Sequence, residues 1–104
     1  MRFSQTGRVE KMAQANEQQL PQLRQRIDAI DQQLVSLLAE RFAITHNVGL
    51  IKKTQGLPAV DAEREARQTE RIVQLARDNG LDEAFAIKFL RTIIDEVVSN
   101  HQKL

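Results

Sequence analysis

Apolar side chains recur in the first half of the chain at Leu20, Leu23, Ile27, Ile30, Leu34 and Leu37, and again at Ile44, Val48 and Ile51. The steps alternate three and four, which is the spacing of one helical face. Pro21 suits a first helical turn, and no further proline interrupts the rhythm before Thr54; Gly49 is its one weak position. The pattern predicts a single helix from Pro21 to about Thr54. At a rise of about 1.5 Å per residue such a helix is a rod of roughly 50 Å. A compact domain of this length has a radius of gyration of only about 13 Å. The rod therefore overhangs its own domain, and its surplus apolar seam calls for a second chain, most simply a second copy in a homodimer.

The remaining pattern is also helical. Residues 1 to 19, "MRFSQTGRVEKMAQANEQQ", are polar and without period, and read as a flexible N-terminal arm. "TQGLPAVD", residues 54 to 61, carries Gly56 and Pro58 and reads as a loop. Asp61 is a good N-cap, and Glu63 and Glu65 follow in the turn where the helix dipole favours acids. Asn79 and Gly80 mark the end of this second helix. Asp82 then caps a third, whose apolar face is supplied by Phe85, Phe89, Leu90, Ile93, Ile94, Val97 and Val98. No period-two run of β-branched and aromatic residues suggests a strand. The expected fold is all-α: three helices per chain, one very long, closed by dimerisation, with residues 20 to 104 as one domain.

Composition narrows the function. The 104 residues contain four Phe and no Trp, Tyr or Cys, so the interior is aliphatic, and thiolate chemistry and disulfides are excluded. A net charge of +1 argues against holding nucleic acid or a membrane surface by bulk electrostatics. His46 and His101 belong to no ligand-spaced cluster, so neither a metal nor a metal-borne cofactor is expected. The N-terminus has no apolar core of a signal peptide, and no apolar run is read as a membrane span. A cytoplasmic protein is the resulting expectation.

Ionisable residues interrupt the apolar faces. The rhythm demands an apolar residue at position 41, and finds Arg41. At about 100° per residue, Thr45, Val48 and Lys52 lie within roughly 40° of Arg41, and Lys52 lies about 16 Å further along the axis. Two long cations leaning toward each other over a small floor favour a compact anion with two acceptor groups. Arg24 lies about 25 Å before Arg41 and about 100° round the helix. It cannot serve that pocket in its own chain, but reaches a partner's in an antiparallel pair of rods. On the second helix Glu65 begins the stripe Glu65, Thr69, Ile72, Ala76; on the third, His101 takes a slot in Leu90, Ile94, Val97, His101, Leu104. Each has a plainer reading. Arg41 can fix the register of a seam, Lys52 can extend to solvent, and Glu65 and His101 can complement helix dipoles.

The combination of L-R-x-x-I-D-x-I-D, L-L-x-x-R, V-G-x-x-K and D-x-x-R-E, carried by "LRQRIDAIDQQLVSLLAERFAITHNVGLIKK" and "LPAVDAERE", with "FLRTIIDEVV" beyond, resembles the all-helical chorismate mutase family over residues 20 to about 102. The resemblance implies an intertwined homodimer of three-helix chains in which each site borrows an arginine from the partner. Arg24 matches that borrowed arginine, Arg41 and Lys52 the cations of the long helix. Asp61, Arg64 and Glu65 match the start of the second helix, with Glu65 on the substrate's hydroxyl. Val97 stands where some members carry a serine near a substrate carboxylate, and His101 where the best-known bacterial members carry a glutamine that donates to the ether oxygen. Both are departures. Val97 can offer only a wall, while His101 can donate through a ring N–H; Gln102, about 100° further round, is the less suitable substitute.

The reaction so implied is the rearrangement of chorismate to prephenate in phenylalanine and tyrosine biosynthesis, in which a C–O bond breaks as a C–C bond forms. It requires no nucleophile, cofactor or metal. Arg41 and the partner's arginine at position 24 would clamp two carboxylates and so fix the reactive conformer. Lys52 and His101 would stabilise charge growing on the ether oxygen. Two other readings stand beside this: an isochorismate pyruvate lyase, and a helical interaction module without activity.

Overall fold

A computed structural model describes residues 19–104; the arm expected over residues 1 to 19 lies, apart from Gln19, outside them. Three helices follow in order and no strand occurs among the described residues: α1, Leu20–Gln55; α2, Ala62–Asn79; α3, Glu83–Gln102. Their ends are set by the residues that the sequence singles out. Pro21 occupies the first turn of α1, and Gly56 ends it in the left-handed region at φ 69°. There the Leu57 amide donates back to the Lys52 carbonyl at 2.7 Å. A side chain at Gly56 would be strained by that φ. The Asp61 carboxylate accepts from the Arg64 amide at 3.0 Å and starts α2. Gly80, at φ 70°, ends α2, and Asp82 accepts from the Phe85 amide at 2.8 Å to start α3.

The third helix is the hub. It packs against both α2 and α1, which meet each other only through it. Ala86, Leu90, Ile93 and Ile94 of α3, with Ala76 of α2, are the buried apolar residues among those described. The shape follows from α1, which at about 1.5 Å per residue is roughly 54 Å long. The described residues measure 59 × 25 × 15 Å, with a radius of gyration of 18.0 Å, well above the value of about 13 Å for a compact domain of about 100 residues.

The heptad seam of α1 is not what packs against α3. Leu38, Arg41, Phe42, Thr45, Gly49 and Lys52 are the buried or half-buried residues of that stretch, and they share an arc of about 100°. The seam runs beside this arc. Ile30 is 55% exposed, Leu37 63% and Ile51 54%. Arg41 lies on the border between the two faces and is half-buried. Phe85 and Phe89 likewise leave the core that was expected to take them. They stack on each other at 6.1 Å between ring centres and remain exposed.

The reading of α1 as too short an apolar run for a membrane also changes. The helix is long and apolar enough over part of its length to cross one. Glu40 and Arg41 fall near its middle, however, and each charge at mid-bilayer costs about 2.5–3.5 kcal/mol or more.

The contact of α1 with α3 turns on Gly49, which is buried. A β-carbon there would stand 2.5 Å from His101 Cδ2 and 2.8 Å from Leu104 Cδ1. Gly49→Ala gains about 1 kcal/mol of helix propensity, but the His101 ring is held and cannot yield freely. The expected outcome is a net loss of about 1–2 kcal/mol in urea unfolding. The double variant Gly49→Ala/His101→Ala should lose less than the sum of the single losses; strict additivity would disprove the contact.

Candidate active site

A cavity opens beside the place where α1, α2 and α3 converge. From α1 it receives Arg41, Thr45 and Lys52, three residues of the inner arc. The N-terminus of α2 brings Asp61, Arg64, Glu65 and Gln68, and α3 closes the wall with Ile94, Val97 and Val98. Helical spacing explains the grouping: 61, 64, 65 and 68 fall on one face of the first two turns. The open volume is about 70 Å³. Through Arg41, Arg64 and Gln68 the cavity adjoins a cleft of about 320 Å³ between α1 and α2, lined on its far side by Leu34, Leu37, Ile72 and Leu75.

The charges in this cavity are unevenly matched. Half-buried Arg41 makes no hydrogen bond or ion pair among the described residues, and neither does the guanidinium of Arg64. Lys52 donates from Nζ to the Ala59 carbonyl at 3.2 Å, which ties the α1–α2 connection back onto α1. An ammonium has three donors, so that bond leaves two for the cavity. The two carboxylates are already engaged. Asp61 caps its own helix. Glu65, with its side chain only 19% exposed, accepts at Oε1 from Arg91 Nη1 at 3.2 Å. The same nitrogen lies 3.4 Å from Asp95 Oδ1. The hydrogen bond to Glu65, more than any other cause, raises the pKa of Arg91 above its ordinary value. Three cations thus face the cavity, and none of them is in an ion pair among the described residues. Such a site is complementary to an anion.

The structure brings together Arg41, Lys52, Asp61, Arg64, Glu65 and Val97 as the sequence predicts, and separates two others. Arg24 is exposed and lies outside this cavity. His101 also lies outside it: Nε2 is 2.7 Å from the Thr45 carbonyl, and the ring rests on Gly49. A carbonyl only accepts, so Nε2 carries the proton. Its Nδ1 is buried with no hydrogen-bond partner. Gln102 lines a different cleft, on the far side of Glu65, with Arg91 and Asp95. Sequence reasoning missed Gln68 and Arg91. Gln68 follows Arg64 by four residues and was legible as the next position on that face. Arg91 is 26 residues from Glu65, and no local periodicity connects them.

The family model for chorismate mutase type II matches residues 23–102. The chain belongs to this family. Among curated chorismate mutase relatives, the chorismate mutase of Methanocaldococcus jannaschii is 35% identical over 78 residues, 75% of this chain and 79% of that protein. The bifunctional chorismate mutase/prephenate dehydratase of Escherichia coli K12 is 34% identical over 89 residues, 86% of this chain and 23% of that longer protein. A third relative, the 4-amino-4-deoxychorismate mutase of Streptomyces venezuelae, is 30% identical over 86 residues, 83% of this chain and 82% of its own. The matched segment contains the whole cavity.

Proposed function

We propose that the chain catalyses the rearrangement of chorismate to prephenate, within aromatic amino acid biosynthesis and in the cytoplasm, as a homodimer whose two sites each take Arg24 from the partner chain. The observation that carries this reading is the set of cations Arg41, Lys52 and Arg64 at one cavity, none of them in an ion pair among the described residues. Arg41 binds one carboxylate of the substrate and the partner chain's arginine the other, which holds the compact conformer needed for the carbon–carbon bond to form. Lys52, fixed by Ala59, places its remaining donors where the ether oxygen gains charge. Arg64 adds to the field, and Asp61 and Glu65 address the ring hydroxyl. Val97 supplies an apolar wall.

His101 has a different part in this proposal from the one its position in the sequence suggests. Its proton is committed to Thr45, so it contributes by seating α1 on α3. Ether-oxygen donation then falls to Lys52. The homodimer is supported by the exposed seam of α1 and by the open cleft next to the cavity. A second long helix in that cleft would cover Leu34, Leu37 and Phe89 and bring an arginine to a site that lacks one wall.

Chorismate and isochorismate offered separately to one preparation, with products identified by NMR, test the reading. Prephenate from chorismate, without pyruvate from isochorismate, is the expected result. Pyruvate from isochorismate would make the chain a lyase, and no turnover of either would make it an interaction module.

A further inference from the structure

We infer that Arg91, which is not part of the cavity wall, sets the preference of the site for a neutral hydroxyl over an ammonium group at the substrate's ring position. The inference rests on the mutase reading above. Glu65 stands between two openings. One is the cavity; the other is the outer cleft where Arg91 and Asp95 lie. Arg91 holds one oxygen of the Glu65 carboxylate from outside at 3.2 Å, and the second oxygen, which takes no hydrogen bond among the described residues, is open to a substrate hydroxyl. A carboxylate that accepts from a guanidinium offers its remaining lone pairs as acceptors. It can accept a hydrogen bond from a hydroxyl, and its charge is partly compensated from behind.

The two kinds of substrate use that carboxylate differently. A hydroxyl needs an oriented lone pair and gains little from net charge. An ammonium loses a large hydration energy on entering the cavity and requires an uncompensated negative charge to offset it. Arg91 supports the first requirement and opposes the second. Asp95 draws on the same guanidinium nitrogen, at 3.4 Å, so it weakens the effect of Arg91 on Glu65. Arg91 is 49% exposed, so solvent screening keeps its influence modest.

The test is the ratio of kcat/KM for chorismate to that for its 4-amino-4-deoxy analogue, measured at low ionic strength on the native protein, Arg91→Gln, Arg91→Lys and Asp95→Asn, with thermal unfolding of each recorded. Arg91→Gln should move the ratio toward the amine by about three- to tenfold. Arg91→Lys, which keeps the charge, should restore most of the native ratio. Asp95→Asn should move it the other way, toward the hydroxyl. Equal loss of activity on both substrates in Arg91→Gln would make Arg91 a structural brace and overturn the inference while the mutase reading stands. Should Arg91→Gln fail to fold, an unchanged ratio in Asp95→Asn would overturn it. Native protein inactive on both compounds would overturn the mutase reading, and this inference with it.

Discussion

Arg41→Leu should lower chorismate turnover by about a thousandfold, while the urea midpoint of unfolding stays level or rises. Loss of activity follows from what the guanidinium faces. It has no partner among the described residues, so on the proposed reading a bound carboxylate becomes its counter-ion, and removing one member of a desolvated charge pair costs about 3–5 kcal/mol. The effect on stability runs the other way. Arg41 sits on the border between the face that packs on α3 and the apolar seam, and a leucine there extends the seam and removes a half-buried cation. Up to about 1 kcal/mol of gain is expected from area alone. Parallel loss of activity and of stability would instead identify Arg41 as a brace of the fold.

Arg24→Ala should lower turnover by about a hundredfold, with the unfolding free energy unchanged to within about 0.5 kcal/mol. In its own chain Arg24 is an exposed residue of α1, about 25 Å along the helix from Arg41. Nothing in a monomer would predict an effect on a site so distant. The predicted loss arises only if Arg24 supplies the second carboxylate clamp across a dimer, where a charge-assisted bidentate contact is worth about 1.5–3 kcal/mol or more. Unchanged turnover in this variant would remove the borrowed arginine from the proposal and leave each site to one chain.

Much of this arrangement was legible in the sequence because it depends on local rules. The helix ends follow from Pro21, Gly56, Asp61, Gly80 and Asp82, each of which acts within a turn of itself. The cavity residues Arg41 and Lys52, and Asp61, Arg64 and Glu65, follow from helical spacing and from the family motifs. What was not legible depends on contacts between helices. The rhythm of Leu and Ile on α1 identifies an apolar seam but not what it faces, and within one chain it faces outward; the inner face is the less conspicuous arc through Phe42, Thr45 and Gly49. His101 occupies an apolar slot of α3 as predicted. Which group its proton meets, however, depends on how close Gly49 lets α1 approach. Arg91 was invisible because its partner is 26 residues away on another helix.

Mixing two inactive variants tests the central claim, a site completed between two copies of the chain, most directly. Arg24→Ala and Arg41→Leu are each expected to be nearly inert. After co-refolding in equal amounts, half of the dimers would be mixed, and each of these would hold one site with both arginines intact and one with neither. Chorismate consumption should then recover to about a quarter of the native rate per chain, by random pairing of a two-fold dimer. A mixture no more active than its separate components, although the native protein turns over chorismate, would contradict the shared site.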